Sequence, residues 1–295
     1  MTMGTMRRFV IRGLTLVSAI SAIALMGSPD AALAQPVEPQ RQAFRVCQDP
    51  NNLPFSNSKG EGYEDKIAAL FAKELGLPLK YYFFPQRMAF IRNTLRFKIP
   101  GEDYPCDLVM SVPKGFDQVS ATQAYYRSAY ALVFPKGKKL DGVKSGEDFL
   151  ALPPEVLKSL KIGLYDRSPA SEWLVRHDLT DQGVPYRILN ADPEQYAGEI
   201  IEKDLVAGKI DAAIVWGPIA GYYARKVKSL PLAIVLLKSE KDVKFDFEIA
   251  MGVRYGEKEW KQQIEQLIEK NKVQIRAILS EYGVPQLDES AMPIQ

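Results

Sequence analysis

The sequence predicts an α/β protein made of two doubly wound lobes that are joined by a hinge and separated by a cleft. Two blocks of the chain, residues 44–111 and 161–215, each alternate strand patterns with helix patterns. An amphipathic pattern over residues 264–279 predicts a long helix that packs back on the first lobe. The chain is long enough to bury two modest hydrophobic cores.

The first 34 residues have the layout of a secretory signal peptide. Arginines at positions 7, 8 and 12 precede an apolar run over residues 14–26, and Ala32-Leu33-Ala34 supplies small residues for cleavage. Because the apolar run is shorter than the roughly 20 residues that span a bilayer, cleavage after Ala34 is favoured over a retained membrane anchor. No later apolar run is long enough to cross a membrane, so the sequence predicts an exported protein without stable membrane insertion.

Charge and residue inventory exclude several classes of function. The precursor has 38 basic and 36 acidic residues, and removing three arginines and one aspartate with the signal peptide leaves 35 of each. A neutral mature chain does not favour nucleic acid or an anionic membrane as a partner. The single histidine, His177, argues against a zinc site, and no nucleophile elbow or phosphate loop occurs. No cofactor is assigned, and a binding protein is favoured over an enzyme.

The first lobe begins with a strand at residues 44–48, followed by a helix whose apolar residues recur at helical spacing until Gly76 and Pro78. A strand at 79–84, a helix marked by Met88, Ile91 and Leu95, and a buried strand at 107–111 complete this block. Cys47 and Cys106 lie in or beside strands that should be neighbours. In an oxidising compartment they predict one intrachain disulfide.

The second lobe begins with a strand at residues 161–165 and a helix that starts at Ser168-Pro169. Asp192 and Pro193 cap a further helix, which Gly208 ends before a strand at 210–215. The predicted boundaries, in order, are a signal peptide at 1–34, a disordered leader at 35–43, lobe 1 at 44–132 and 239–285, lobe 2 at 133–238 and a C-terminal tail at 286–295.

This order of elements resembles the family 3 solute-binding proteins over about residues 44–285. The segments Gly62-Tyr63-Glu64-Asp65-Lys66-Ile67 and Gly208-Lys209-Ile210-Asp211-Ala212-Ala213 carry that resemblance, which implies a periplasmic binding protein-like fold of type II. Two more specific segments, 49–57 and 216–223, resemble the quinoprotein-dehydrogenase-associated branch, the MoxJ/XoxJ-type proteins of methanol oxidation. That resemblance implies, as partner, a pyrroloquinoline-quinone (PQQ)-dependent methanol dehydrogenase, with the lanthanide-dependent type as one option.

The chain departs from the parent family where a bound amino acid would be anchored. A zwitterion needs a fixed cation for its carboxylate and a carboxylate for its ammonium group. Val119 lies near the position of the expected arginine, and Trp216-Gly217-Pro218 replaces the expected acid. Both anchors are therefore expected to be lost, although Lys114 and Asp117 remain alternative sources of charge nearby.

Ligands of open α/β sheets bind beyond the carboxyl ends of the strands, where loops and helix N-termini meet. That rule, together with a tyrosine cluster before the first hinge crossing, selects the cleft candidates Asp49, Asn52, Phe55, Ser111, Tyr130, Tyr165, Arg167, Ser168 and Trp216. Structural interpretations stay open beside them: segment 49–54 as a turn, Trp216 and the tyrosines as lobe packing, and Arg167 as a solvated side chain.

The function that the sequence favours is a non-catalytic periplasmic accessory protein, which binds a methanol dehydrogenase and assists its maturation or activation. Phe55 and Trp216 are the candidate anchors of that contact. The alternative is a transporter's substrate-binding protein for a small ligand other than an amino acid, such as a quinone or a metal chelate.

Overall fold

The computed structural model describes residues 41–86, 89–98, 100–187 and 195–294. The predicted signal peptide and the first six residues of the predicted leader lie outside the described residues. So do Met88, Asp192 and Pro193, which were assigned to two of the predicted helices.

Strands and helices alternate through most of the described chain. The strands are β1 (Phe44–Gln48), β2 (Asn51–Asn52), β3 (Ser56–Asn57), β4 (Leu79–Phe83), β5 (Leu108–Pro113), β6 (Ser120–Pro135), β7 (Ile162–Tyr165), β8 (Gly183–Tyr186), β9 (Ala212–Trp216), β10 (Leu232–Leu236) and β11 (Asp246–Val253). The helices are α1 (Tyr63–Leu75), α2 (Phe90–Asn93), α3 (Gly146–Leu150), α4 (Pro154–Ser159), α5 (Pro169–Arg176), α6 (Gly217–Lys226), α7 (Lys258–Lys270) and α8 (Lys272–Glu281). A 3-10 turn at Thr180–Gln182 and a π-helix at Ile200–Leu205 add to them.

A mixed sheet joins nine of the described strands in the order β4-β1-β5-β11-β6-β9-β7-β8, with β10 also on β6, and β2 pairs with β3 in a separate two-stranded sheet. The long strand β6 pairs with β11 through its first part and with β9 and β10 through its second part. Strand β6 therefore runs from one half of the sheet into the other. Its antiparallel pairing to β9 turns the carboxyl ends of β1 and β5 toward those of β7 and β9.

Separate hydrophobic clusters support the two halves of the sheet. One cluster packs α1, α7 and α8 on β1 and β5 through Phe44, Ile67 and Trp260. Another packs α5 on β7 and β9 around Trp173 and Ile214. The α/β class is confirmed, as is the packing of the C-terminal helices on the first half, whereas the predicted lobe boundaries stay a prediction.

Three of the differences from the sequence-based predictions have a local physical reason. The predicted second helix is reduced to α2, where the Thr94 hydroxyl donates to the Phe90 carbonyl oxygen at 2.7 Å and competes with continued helix. The predicted long C-terminal helix breaks at Asn271, whose side-chain amide donates to the Leu267 carbonyl oxygen at 2.9 Å. Strand β6 was not predicted because residues 131–135 are buried on both faces and carry no alternating pattern.

A disulfide joins Cys47 and Cys106, as the sequence predicts. Cys47 lies in β1 opposite Val109 of β5, and Cys106 lies just before β5, so parallel pairing brings the two cysteines together. The exposed fraction is 2% for Cys47 and 0% for Cys106. The last residues of the predicted leader also contact the core, since Ala43 is buried and the Arg41 guanidinium lies 4.1 Å from the Trp260 ring centroid.

Within the described ranges, no helix combines the length and the apolar character needed to cross a membrane.

Candidate functional site

The candidate site lies where the carboxyl ends of β1 and β5 face those of β7 and β9. Loops and helix N-termini converge at this edge, which is where open α/β sheets bind their ligands. Segment 49–57 enters it from the first half of the sheet, and α6 enters it from the second. Segments 49–57 and 216–223 are the two that carry the more specific resemblance to the MoxJ/XoxJ-type proteins.

Segment 49–57 is braced by its own polar side chains. The Asp49 carboxylate accepts hydrogen bonds from the backbone amides of Asn51 (2.8 Å) and Gln86. The Asn52 side-chain amide donates to the Gln86 side-chain oxygen at 2.8 Å. Both candidates thus hold the loop in shape, which agrees with the turn interpretation of this segment.

Phe55 is held at the centre of the site by a close backbone approach. A Cβ atom on Gly62 would lie 2.0 Å from the Phe55 carbonyl oxygen, so only glycine fits there. The same carbonyl accepts a hydrogen bond from the Glu64 backbone amide at 2.9 Å. The Phe55 ring lies 5.4 Å from that of Tyr63 and packs against clusters of both halves of the sheet.

A chain of tyrosine contacts continues from Phe55 toward β6. The Tyr63 and Tyr126 hydroxyls lie 2.9 Å apart, and the Ser111 hydroxyl lies 3.0 Å from that of Tyr125. Burial raises the pKa of Tyr126, while hydrogen bonds with Tyr63 and other neighbours oppose the increase. The tyrosines therefore remain neutral hydrogen-bonding groups near physiological pH.

Trp216 adds a further ring to this group of aromatic side chains from the second half of the sheet. Its ring lies 5.4 Å from that of Tyr130 and 5.9 Å from that of Phe247. Trp216 also packs against the hydrophobic cluster that contains Tyr63 and Tyr126, which places it beside the tyrosine chain. The structure thus brings the candidates Phe55, Ser111, Tyr130 and Trp216 together through the tyrosines of α1 and β6. We call the rings of Phe55, Tyr63, Tyr125, Tyr126, Tyr130 and Trp216 the aromatic centre.

Helix α6 connects the two sides of the site. The hydroxyl of the buried Tyr223 donates to the Leu53 carbonyl oxygen at 2.9 Å. Tyr222 stacks on Tyr282, with ring centroids 5.9 Å apart. A Cβ atom on Gly221 would lie 1.8 Å from the Gly283 carbonyl oxygen, so a glycine at position 221 lets α6 lie against the end of α8. These contacts join segments that are distant in the sequence.

The remaining candidates form a second group at the end of β7. The Tyr165 hydroxyl donates to the Ala197 carbonyl oxygen, and the Ser168 hydroxyl donates to the Tyr165 carbonyl oxygen, both at 2.6 Å. The Ser168 hydroxyl therefore stabilises the turn into α5, and the Tyr165 hydroxyl joins the end of β7 to the segment at residue 197. Arg167 is exposed in that turn at a φ of 58° and makes no ion pair with the residues that the structure describes.

Glu64, in the first turn of α1, was not among the candidates selected from the sequence. Its exposed fraction is 7%. Burial raises the pKa of Glu64 to about 8, a hydrogen bond from Ser111 opposes the increase, and Asp65 and Asp49 add to it. An acid at a helix N-terminus is common and stabilising on its own, so nothing in the local pattern indicates that this carboxyl is buried.

The residues considered from the sequence near the expected amino-acid anchors make other contacts in the described chain. Val119 is 2% exposed and packs against Gly252 in the core, which places it away from the cleft. The Lys114 ammonium pairs with the Glu248 carboxylate at 3.1 Å beside a groove of about 240 Å³. Asp117 contributes its carbonyl oxygen to the Tyr255 hydroxyl. Of these three residues, none provides a free cation for a carboxylate.

We therefore expect no binding of the common amino acids. A zwitterion in this site would leave its carboxylate buried without a cation, which is costly. Titration calorimetry with each amino acid should show no saturable heat, and micromolar binding of any one of them would contradict the assignment of the lost anchors.

No group of three or more His, Cys, Asp or Glu side chains within the described ranges is arranged to hold a metal ion.

Comparisons with known proteins identify relatives of this chain. No model of a known protein family matches it. Protein MoxJ of Paracoccus denitrificans is 27% identical over 278 residues, which cover 90% of this chain and 96% of MoxJ. The structure of MxaJ from Methlophaga aminisulfidivorans MPT is 25% identical with a TM-score of 0.69, and the match covers 83% of this chain and 100% of MxaJ. An ancestral cationic amino acid solute-binding protein, 18% identical with a TM-score of 0.61, shares the fold.

The structure of periplasmic binding protein XoxJ from Methylobacterium extorquens AM1 is 36% identical with a TM-score of 0.68, and the match covers 84% of this chain and 100% of XoxJ. Both the fold class and the resemblance that the sequence predicts are thereby confirmed. The chain belongs to the MoxJ/XoxJ-type periplasmic binding proteins, a divergent branch of the family 3 solute-binding proteins with the type II fold.

Proposed function

We propose that this protein is a non-catalytic periplasmic accessory protein of methanol oxidation, which binds a PQQ-dependent methanol dehydrogenase and assists its maturation or activation. The proposal includes export, cleavage after Ala34 and residence in the periplasm. The observation that carries it is the aromatic centre: rings from both halves of the sheet meet at the edge where relatives of the parent family bind amino acids. Membership of the MoxJ/XoxJ-type family supports the choice of partner.

The neutral charge of the mature chain supports a contact that depends on apolar and aromatic burial. Without a net charge, long-range steering of the partner is modest. Interfaces of this kind depend on a few buried aromatic anchors. Phe55 and Trp216 are half-buried at the edge of the cleft, and each packs against the hydrophobic clusters of both halves of the sheet. Partly exposed rings in this position are suitable anchors for a partner.

The contacts of His177 support a role without catalysis. Its Nε2 atom lies 2.9 Å from one Glu240 carboxylate oxygen, and the Trp173 indole donates to the other at 2.7 Å. This histidine therefore helps to attach α5 to the segment before β11. It is committed to packing and has no nucleophile beside it among the contacts of the described chain.

Binding of the dehydrogenase should fall by at least tenfold when either anchor is truncated, since an aromatic hot spot contributes about 2 kcal/mol or more. The measurement is a pull-down and a kinetic binding assay with purified cognate dehydrogenase, using folded Phe55→Ala and Trp216→Ala proteins. Val273→Ala, at a residue of α8 that is 79% exposed, is the matched control and should bind like the wild type. A wild-type protein that neither binds nor changes dehydrogenase activity or PQQ loading contradicts the proposal. Binding that both variants retain would instead move the interface elsewhere.

The alternative function, capture of a small ligand for a transporter, is favoured by one observation: Glu64 is buried at the site without a cationic partner in the described chain. Tight binding of a small ligand together with no contact with the dehydrogenase would select that alternative.

A further inference from the structure

Glu64 differs from the other deeply buried acids in having no cation or backbone amide on its carboxylate. Asp107, which is fully buried, pairs with the guanidinium groups of Arg45 and Arg254. The Asp65 carboxylate accepts hydrogen bonds from the backbone amides of Asn57 and Gly62 at 3.2 and 2.8 Å. A polar neighbour of the Glu64 carboxyl within the described ranges is the Ser111 hydroxyl, which lies 3.0 Å from the Tyr125 hydroxyl. A buried carboxyl without a cation normally costs stability, so its position at the site calls for a ligand.

The surroundings of Glu64 are suited to an organic cation. Tyr63 is its neighbour on α1, the Tyr63 and Tyr126 ring centroids lie 6.2 Å apart, and those of Tyr125 and Tyr126 lie 4.9 Å apart. The charge of Glu64 contributes to the raised pKa of all three tyrosines. Their rings, together with those of Phe55 and Trp216, provide faces that attract a positive charge. Their hydroxyls and that of Ser111 are acceptors for N–H groups.

The same surroundings disfavour a carboxylate on the ligand. Asp49 and Asp65 add negative charge near Glu64. Val119, which lies near the arginine position expected from the sequence, is buried against Gly252 and supplies no cation to the described site. A ligand that carries both charges would bring its own anion into an acidic site.

We propose that Glu64 is the anionic group of a binding site for an organic cation that carries no carboxylate, an ammonium or guanidinium group held against the aromatic centre. Two sources share this chemistry: a free organic cation, or a lysine or arginine side chain of a protein partner. The proposal does not depend on the dehydrogenase contact, because small probes alone test it.

Binding of the cation should be linked to loss of one proton from Glu64. The titratable groups that face it are Asp49 after β1, Asp65 and Tyr63 on α1, and Tyr125 and Tyr126 on β6; Ser111 faces it from β5 and does not titrate in this range. Because burial raises the pKa of Glu64 to about 8, the carboxyl is mostly protonated at pH 7 and mostly ionised at pH 9. Affinity for a permanent cation should therefore rise about tenfold between pH 7 and pH 9.

Two pairs of permanently charged probes isolate the role of the carboxylate. Choline is compared with glycine betaine, and ethylguanidinium with guanidinoacetate, by titration calorimetry of the full mature chain at pH 7 and pH 9. In at least one pair the cation should bind at least tenfold more tightly than its carboxylate partner. Failure of both cations to bind at pH 9, or equal affinity within each pair, would overturn the proposal.

Matched variants assign the binding to Glu64. Glu64→Gln should weaken cation binding at pH 9 by at least tenfold and abolish the pH dependence, whereas Glu61→Gln, at an exposed acid three residues away, should change neither. Unchanged binding by a folded Glu64→Gln protein would refute the site. Competition between the probe and the dehydrogenase would identify the natural cation as a basic side chain of that partner, and binding of both together would identify a free cation.

Discussion

Replacing Glu64 by glutamine is expected to stabilise the protein by about 4 kcal/mol at pH 9 relative to the wild type, with little difference below pH 4.5. Burial raises the pKa of Glu64 from 4.5 to about 8, so the folded chain binds a proton in this range that the unfolded chain releases. This contribution to stability is fully present below pH 4.5 and is lost as the pH rises through 8. At about 1.4 kcal/mol per pKa unit, its full size is about 4 to 5 kcal/mol. Glutamine has nearly the same shape and no charge to bury.

The measurement is thermal and urea unfolding of both proteins between pH 4.5 and pH 9. The difference in melting temperature should grow with pH to about 10 °C. Glu155→Gln, at an exposed acid of α4, is the control and should follow the wild-type curve throughout. Parallel curves for the wild type and Glu64→Gln would show that the carboxyl is not destabilised by folding.

Removing the disulfide is expected to lower the free energy of unfolding by about 4 kcal/mol, because the bond closes a loop of 59 residues in the unfolded chain. Both sulfur atoms lie in a cluster with Ile91, Leu95 and Val109, so small apolar replacements preserve most of the packing. The double variant Cys47→Ala/Cys106→Ala should therefore fold but melt roughly 10 °C lower than the wild type.

Two independent measurements check the disulfide. Thiol labelling of the unreduced, denatured wild type should find no free thiol, and two reactive thiols would refute the bond. Reduction of the wild type should lower the melting temperature to about that of the double variant. A reductant effect on the double variant itself would point to some other cause.

Loss of the disulfide should lower the free energy of unfolding, whereas Glu64→Gln should raise it above neutral pH. These opposite effects fit a structural role for the disulfide and a ligand-binding role for Glu64. The disulfide joins β1 to the entrance of β5 and stabilises the edge from which the site is built. Glu64 destabilises the same region above neutral pH. Functional sites commonly retain such destabilising groups, and a variant that is more stable but binds no cation would show that trade-off directly.

Much of the fold follows from local pattern. Alternating apolar residues with glycine and proline at element ends predicted the order of strands and helices, and the cysteines in neighbouring strands predicted the disulfide. The segments at 49–57 and 216–223 predicted the family, which the similarity to XoxJ confirmed. Local sequence carries this information because helix and strand periodicity, turn residues and motif segments all depend on residues that are close together in the chain.

The candidate site residues stay a prediction, and the structure shows which of them lie together. Phe55, Ser111, Tyr130 and Trp216 meet at the aromatic centre, whereas Asp49 and Asn52 brace their own loop. The hydroxyls of Ser168 and Tyr165 likewise donate to backbone carbonyl oxygens. Whether a polar side chain bonds a ligand or its own backbone depends on loop geometry, which residue types alone do not specify.

What only the tertiary structure decided is the environment of the buried acids. In the sequence, Asp107 lies between Cys106 and Leu108 and Glu64 lies between Tyr63 and Asp65, and neither setting shows which partner the carboxylate meets. The fold brings Arg45 and Arg254 to Asp107 from 62 and 147 residues away, whereas it surrounds Glu64 with tyrosines and a serine. The charge state of a carboxyl depends on its desolvation and on its neighbours in space, and both are set by packing between distant segments. The sequence alone therefore determined the scaffold and the family, while packing decided which acid is structural and which is available to a ligand.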